Sequence, residues 1–297
     1  MTIVAGKIEP LKKLKEILNE NGITRFNSIG EINNFIKNYE SEKKEIPKII
    51  KNSLDEEIKK LEETSKQAIE KSNKNLFNKV FYYPKIKIIT IKKSARTKNY
   101  EKVISKRCIE SYKELDFTKE VVAGLYTLIA GAIGENLAVN ELKKLPDNYY
   151  LINDFSVEFN PPIYNKKEND RIFSIQIDHL LICQSGVFLL ETKNWSKQSI
   201  KNLDLRSPVE QILRTSYALF VLLNSESNVN LTRHHWGSKK IPIRNIIIMT
   251  NEKPKEEFKH VKILSLNKLN GYINYFDQIF NEDEVKNIFN YLNNEIH

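Results

Sequence analysis

In the segment QIDHLLICQSGVFLLETKNW, residues 176–195, Asp178 heads one apolar run, and Glu191 and Lys193 close the next. Apolar strands ordinarily leave charge to their loops, so three ionisable side chains inside the pattern call for a reason. Side chains two apart in a strand share a face, so Glu191 and Lys193 point the same way. The two runs meet at Gln184–Ser185–Gly186. With a Ser185–Gly186 turn Asp178 faces Lys193; with a Gln184–Ser185 turn it faces Glu191. Either two-residue turn brings all three groups to one face at one end of a sheet. An odd-length loop sends Asp178 to the other face unless a bulge restores the register.

Two carboxylates that converge repel, and a divalent cation between them relieves the repulsion. Oxygen donors favour a hard ion, Mg²⁺ or Mn²⁺. Such an ion can bind a phosphate oxygen and lower the pKa of a bound water. A lysine beside it can position that water and offset charge developing on the phosphate. The trio therefore suits metal-dependent phosphodiester hydrolysis. It equally suits a plain salt bridge at a sheet edge, with Lys193 paired to either acid.

The elements around these residues bear on the choice. FTKEVVAGLYTLIAGAIGENLAVNELKKLP (117–146) predicts one long helix ended by Pro146, in which Gly131 and Gly134 permit close approach of a neighbour. YYLINDF (149–155) reads as a strand and NPPIYNKKEND (160–170) as a loop. After the two strands carrying the trio, SPVEQILRTSYALFVLL (207–223) predicts a helix with Ser207 as N-cap and Pro208 in its first turn. NIIIMT and VKILSL predict two further strands, followed by two terminal helices. From residue 117 the order is α, β, β, β, α, β.

GAIGENLAVNELKKLP, QIDHLLICQSGVFLLETKNW and SPVEQ together resemble the nuclease-related domain, NERD, over roughly residues 125–250. That family is similar to a branch of the PD-(D/E)XK nucleases. The resemblance implies an α/β fold with a restriction-endonuclease-like αβββαβ core behind a mainly helical N-terminal region. It implies Asp178 and Glu191 as ligands of Mg²⁺ or Mn²⁺, Lys193 as the catalytic lysine, and Glu135 as a further acid that completes the metal shell or orients a water. Gln211 would contact the site or the substrate backbone, and Gln176 and Asn194 flank the core motif. The implied activity is that of a nuclease on DNA, with a role in bacterial defence against foreign DNA by analogy. A nucleic-acid-binding or scaffolding protein on the same fold is the alternative. The chain departs from the superfamily pattern at Ile177, where the motif name has Pro, at Ser196–Lys197, where a Gly is expected nearby, and at Thr215, where some relatives carry Tyr.

The rest of the chain divides by charge. Of the formal net charge of +9, all lies in residues 1–120, with 27 basic residues against 18 acids; residues 121–297 carry 20 of each. Within the first part, residues 79–107 hold 10 basic residues and the single acid Glu101. With interleaved Tyr and Phe, this segment suits a polyanion, and Lys85, Lys87, Lys92, Lys93, Arg96 and Lys98 are the candidate nucleic-acid contacts. A solvated basic face without a ligand is the plainer reading.

Residues 1–78 read as helical, with a capping box at Ser28–Glu31. Apolar positions from 46 to 76 predict one helix of roughly 45 Å, with a stripe narrow enough for a coiled coil, a helical hairpin or a homo-oligomer seam. KIKIITIKK (85–93) reads as a strand. The expected division is a helical, basic region 1–116 and a nuclease-like domain 117–297, with a protein partner conceivable for the former.

Two cysteines, Cys108 and Cys183, exclude a disulfide framework or a four-cysteine zinc site. No signal-peptide pattern and no apolar run of spanning length is present, so the expectation is a soluble cytoplasmic protein with no membrane role. His234, His235 and Trp236 lie in a polar stretch and make a poor metal pair; His179 should face away from Asp178.

Overall fold

The computed structural model describes residues 1–195, 206–224 and 240–295. His234, His235, Trp236 and Ser196–Lys197 lie outside them. The chain forms two compact units, Met1–Glu20 with Leu125–His297, and Asn21–Gly124. The division expected at 116/117 thus falls later, and the first twenty residues join the C-terminal unit.

That unit is built on a six-stranded sheet in the order β1 to β6. Its strands are β1 (Ile3–Ala5), β2 (Tyr150–Asn165), β3 (Asp170–Cys183), β4 (Gly186–Lys193), β5 (Ile243–Met249) and β6 (Val261–Ser265). β2, β3 and β4 are antiparallel neighbours; β1 joins β2, β5 joins β4 and β6 joins β5 in parallel. Parallel neighbours need a crossover, and α6 (Arg206–Asn224) lies between β4 and β5 in the chain. The expected order of helix, three strands, helix and strand is present from α5 (Tyr126–Leu142) to β5.

Leu180–Cys183 and Val187–Leu190 are buried throughout, because helices cover both faces of the sheet. Val187 and Leu189 join a core with α6 and α8 (Glu282–Asn294). Phe188 and Leu190 join the opposite core with α5 and α7 (Leu269–Ile273). Cys183 belongs to that second core, as a small buried residue. α1 (Glu9–Glu20) packs on α5 and buries Leu14 and Leu18.

Several elements differ from the sequence reading. β1 stands inside the region read as helical. The segment 160–170 is not a loop throughout: β2 runs to Asn165 and β3 starts at Asp170, across a register shift between Glu158 and Ile163. Beyond Ile152, β2 has no partner on its outer side, so Pro161 and Pro162 are tolerated at this irregular edge. The helix expected over 117–146 is divided between α4 (Tyr100–Gly124) and α5. The break comes at Gly124, the weakest helix former there.

The unit 21–124 consists of α2 (Ile29–Ser72), α3 (Leu76–Lys98) and α4. α2 runs 44 residues, about 66 Å at 1.5 Å per residue. It begins where the sequence places the cap: the Ser28 hydroxyl accepts from the Glu31 amide at 3.2 Å. The Glu31 carboxylate accepts from the Asn27 amide at 2.7 Å, one residue beyond the Ser28 amide that the expected capping box would use. The strand expected over 85–93 is part of α3. Ile86 and Ile88 alternate with Lys85 and Lys87 as in a strand, but Ile86, Ile89 and Lys93 recur at helical spacing, and Ile89 is buried. Glu57 of α2 accepts from Arg96 at 2.9 Å and from Arg107 at 2.8 Å, and Glu62 pairs with Lys93 at 2.7 Å. α2 thus packs within a helical hairpin rather than standing as an isolated coiled-coil strand.

Candidate active site

The turn between β3 and β4 is Gln184–Ser185, since Cys183 pairs with Gly186. Gly186 has φ +125, and a Cβ there would meet the Pro242 carbonyl oxygen at 2.7 Å, so glycine is required. This is the register in which Asp178 stands opposite Glu191. The β3–β4 ladder stops one pair short of them, at His179–Leu190, while β4 stays paired with β5 as far as Lys193–Met249. Where the strands part, the Thr192 amide donates to Asp178 Oδ2 at 2.7 Å. The sheet forks at this point, and the acid–acid–lysine group lies in the fork.

The parting has a local cause on β2. The β2–β3 register brings Asp154 opposite Asp178, between the pairs Asn153–His179 and Phe155–Ile177. Asp154 has φ +51, a left-handed conformation that Asp and Asn tolerate better than other side chains. Both strands switch faces across this point. Ile152, Leu180 and Ile182 share a core with Phe155, Ile175 and Ile177, which simple alternation would forbid.

Lys193 Nζ donates to Glu191 Oε1 at 2.7 Å, so these two share a face as expected. Glu135 comes from α5 and is buried, with 7% exposure. The absence of a side chain at Gly134 lets α5 approach this closely. A Cβ there would lie 3.1 Å from Asn194 Cβ and 3.3 Å from Thr192 Cγ2. Asn194 Nδ2 in turn donates to the Ala130 carbonyl at 2.9 Å and ties the end of β4 to the same helix.

The site is short of positive charge. Burial, then the charges of Asp178 and Glu191, push the Glu135 carboxyl up to about 9. Burial, then Glu191, raise Asp178 to about 7, against the pull of the Thr192 N–H and Lys193. Burial alone would lower the Lys193 ammonium, but Glu191, Asp178 and Glu135 outweigh it and its pKa is raised. Among the described residues, the three carboxyl groups thus share the Lys193 ammonium.

Gln176 bridges two further acids. Its amide nitrogen donates to Glu9 Oε2 at 2.6 Å and to Asp154 Oδ1 at 3.1 Å. Glu9 is paired with Lys13 along α1. Glu9 and Asp154 both add to the negative potential at Glu135. Sequence reasoning missed both. An acid inside the apolar run YYLINDF was the available signal for Asp154. Nothing local marks Glu9, whose place depends on β1 pairing with a strand some 150 residues later.

Gln211 is exposed on α6, and among the described residues it makes no hydrogen bond to Glu135, Asp178, Glu191 or Lys193. His179 is fully buried, opposite Leu190. Its Nδ1 lies 2.8 Å from Asn153 Oδ1, and burial depresses its pKa to about 3. Of the candidate nucleic-acid contacts, Lys85, Lys87, Lys92 and Lys98 are exposed on α3. Lys93 and Arg96 are paired to α2 by the bonds described above.

Among the described residues, no three His, Cys, Asp or Glu side chains are gathered into a ready metal-binding group. The donor chemistry nonetheless fits a hard divalent cation. The candidate donors are carboxylate oxygens, and the charge of Glu191 raises both Glu135 and Asp178, a repulsion that a bound cation would relieve. Among the described residues no single helix is long and apolar enough to cross a membrane.

Comparison with known proteins agrees with the geometry. No curated protein and no solved structure matches the chain. The family model described as "Nuclease-related domain", NERD, matches residues 130–250, which hold Glu135, Asp178, Glu191 and Lys193 but not Glu9 or α2–α4. Residues 130–250 thus match the nuclease-related domain, and their α/β architecture is consistent with a PD-(D/E)XK-type nuclease.

Proposed function

We propose that the protein is a metal-dependent nuclease that hydrolyses phosphodiester bonds, with DNA as its substrate. The observation that supports this reading is that Glu135, Asp178, Glu191 and Lys193 act on one another's charge at the fork between β3 and β4, within the residues that match the nuclease-related domain. Asp178 and Glu191, with Glu135 behind them, would hold Mg²⁺ or Mn²⁺. When bound, that ion supplies a Lewis acid for a phosphate oxygen and acidifies a water.

The chain's own groups have separate tasks. Lys193 is held by Glu191, so its ammonium is oriented before substrate arrives. Freed from that pair, it can direct a water at phosphorus and balance charge gathering on the phosphate oxygens. The Thr192 amide fixes the Asp178 carboxylate, leaving its other oxygen to act. Burial and the neighbouring carboxylates favour the protonated form of Glu135 at neutral pH, and a bound cation would favour its ionised form. Water adds to phosphorus as the P–O bond to the leaving nucleotide breaks.

Purified protein with Mg²⁺ or Mn²⁺ should nick or linearise supercoiled plasmid, chelator should stop it, and Asp178→Ala and Lys193→Ala should each abolish it. Plasmid left intact across metals and DNA forms counts against the proposal.

A second reading is favoured by the Lys193–Glu191 pair itself, which also serves a purely structural salt bridge. A non-catalytic nucleic-acid-binding or scaffolding protein predicts salt-sensitive DNA binding without turnover, unchanged in Lys193→Ala.

A further inference from the structure

α3 turns apolar side chains to two sides. Towards α2 it sends Ile89, which is buried, and Tyr82 and Ile86, which are half-buried. On its outer side Leu76, Phe77, Val80, Phe81 and Tyr83 are each 65–82% exposed, and Ile88 and Ile91 are more than half exposed. At about 100° per residue, these seven side chains fall within a single arc of about 160° along the helix. One helix face is enough to build a soluble hairpin. A second, continuous and exposed one marks an interaction surface.

The charges around this face narrow the partner. Lys85 and Lys92 run along one edge of the arc, Lys79 lies beyond the other, and Lys87 stands within it. Residues 71–100 carry nine Lys and Arg and no acid. Symmetric pairing with a second copy would press two acid-free basic segments together. A nucleic acid would find Phe and Tyr to stack on but no use for Leu, Val and Ile. A layer that is anionic at its surface and apolar beneath satisfies both halves of the face at once.

We propose that the outer face of α3 docks on an anionic lipid surface, the helix lying in the interface with Leu76, Phe77, Val80 and Phe81 among the acyl chains and the lysines at the headgroups. This docking holds whether or not the fork cuts DNA.

The experiment is sedimentation of the full chain with vesicles of phosphatidylcholine and phosphatidylglycerol, beside vesicles of phosphatidylcholine alone and beside duplex DNA, with light scattering of the protein by itself. The protein should sediment with the anionic vesicles, less so at high salt, and weakly with neutral ones. Phe81→Asp should reduce vesicle partition about tenfold or more. Lys85→Gln and Lys87→Gln, which keep the apolar face, should each reduce it roughly fivefold, so the test stands even if Phe81→Asp fails to fold. No sedimentation with anionic vesicles overturns the proposal. So does equal partition of wild type and the lysine variants. A dimer that disperses in Phe81→Asp while vesicles are ignored assigns the face to a second copy, and DNA binding lost in Phe81→Asp while vesicles are ignored assigns it to nucleic acid; either overturns lipid docking.

Discussion

The Thr192 backbone amide donates to Asp178 Oδ2 at 2.7 Å, at the point where β3 and β4 cease to pair. A side-chain carboxylate thereby accepts a backbone donor just where the ladder has ended. Asp178→Asn keeps an acceptor for that amide and removes the charge. It should fold with a melting temperature equal to or above that of wild type, because a half-buried, repelled carboxylate is gone. It should lose plasmid cleavage by at least about a hundredfold. Asp178→Ala orphans the amide as well and should be less stable by about 1–3 kcal/mol in chemical denaturation.

Lys193 is drawn towards three carboxylates, Glu191, Asp178 and Glu135. Lys193→Met should therefore lower the melting temperature in chelator and abolish cleavage. Mn²⁺ should restore stability to this variant but not activity. A variant whose melting is indifferent to both changes would remove the electrostatic account of the site.

Glu135 is raised to about 9, so between its unfolded value and that pH the folded state holds a proton that the unfolded state has released. Its contribution to stability thus falls as pH rises through that window. In chelator, Glu135→Gln should melt above wild type by a margin that grows from about pH 5 to about pH 9. Added Mn²⁺ should close the gap by stabilising wild type alone. Melting curves across pH, with and without the ion, measure both.

His179 runs the other way. Burial holds it neutral down to about 3, while the unfolded chain takes up a proton near 6.5. Its contribution is present above the unfolded value and is lost as pH falls towards 3. The stability difference between wild type and His179→Gln should shift against wild type on acidification through this range, read from denaturant midpoints.

Gly134 allows α5 to lie against Thr192 and Asn194, whose atoms a Cβ would meet at 3.1–3.3 Å. Gly134→Val should push the helix outward, taking Glu135 with it. The expected result is a drop of several degrees in melting temperature and a loss of cleavage larger than Glu135→Gln alone produces. Full activity in the valine variant would show that the helix need not approach so closely.

Much of this site was legible in the sequence. β3, β4, α6, β5 and β6 follow from apolar runs of strand length, a Gln-Ser-Gly turn and a Ser-Pro helix start, signals that agree with one another. They sufficed to set Asp178 opposite Glu191 or Lys193, although the meeting point is where β4 ends and not an end of the sheet, since β3 runs on to Asp170. The segment 85–93 was not legible, because Ile86 and Ile88 alternate as in a strand while Ile86, Ile89 and Lys93 recur as in a helix, and packing on α2 decides between them. Reading it as a strand also hid the outer face of α3. β1 and Glu9 escaped for a different reason: three residues carry no periodicity, and their partners are distant in the chain.

The pairing of β1 with β2 bears on how the protein can be cut down. A truncated chain that starts after the helices, at 117 or 125, would discard a strand of the sheet together with Glu9. The helical region is instead a cassette between α1 and α5, and its excision with Glu20 spliced to Leu125 is the surgery that leaves the nuclease-like body whole.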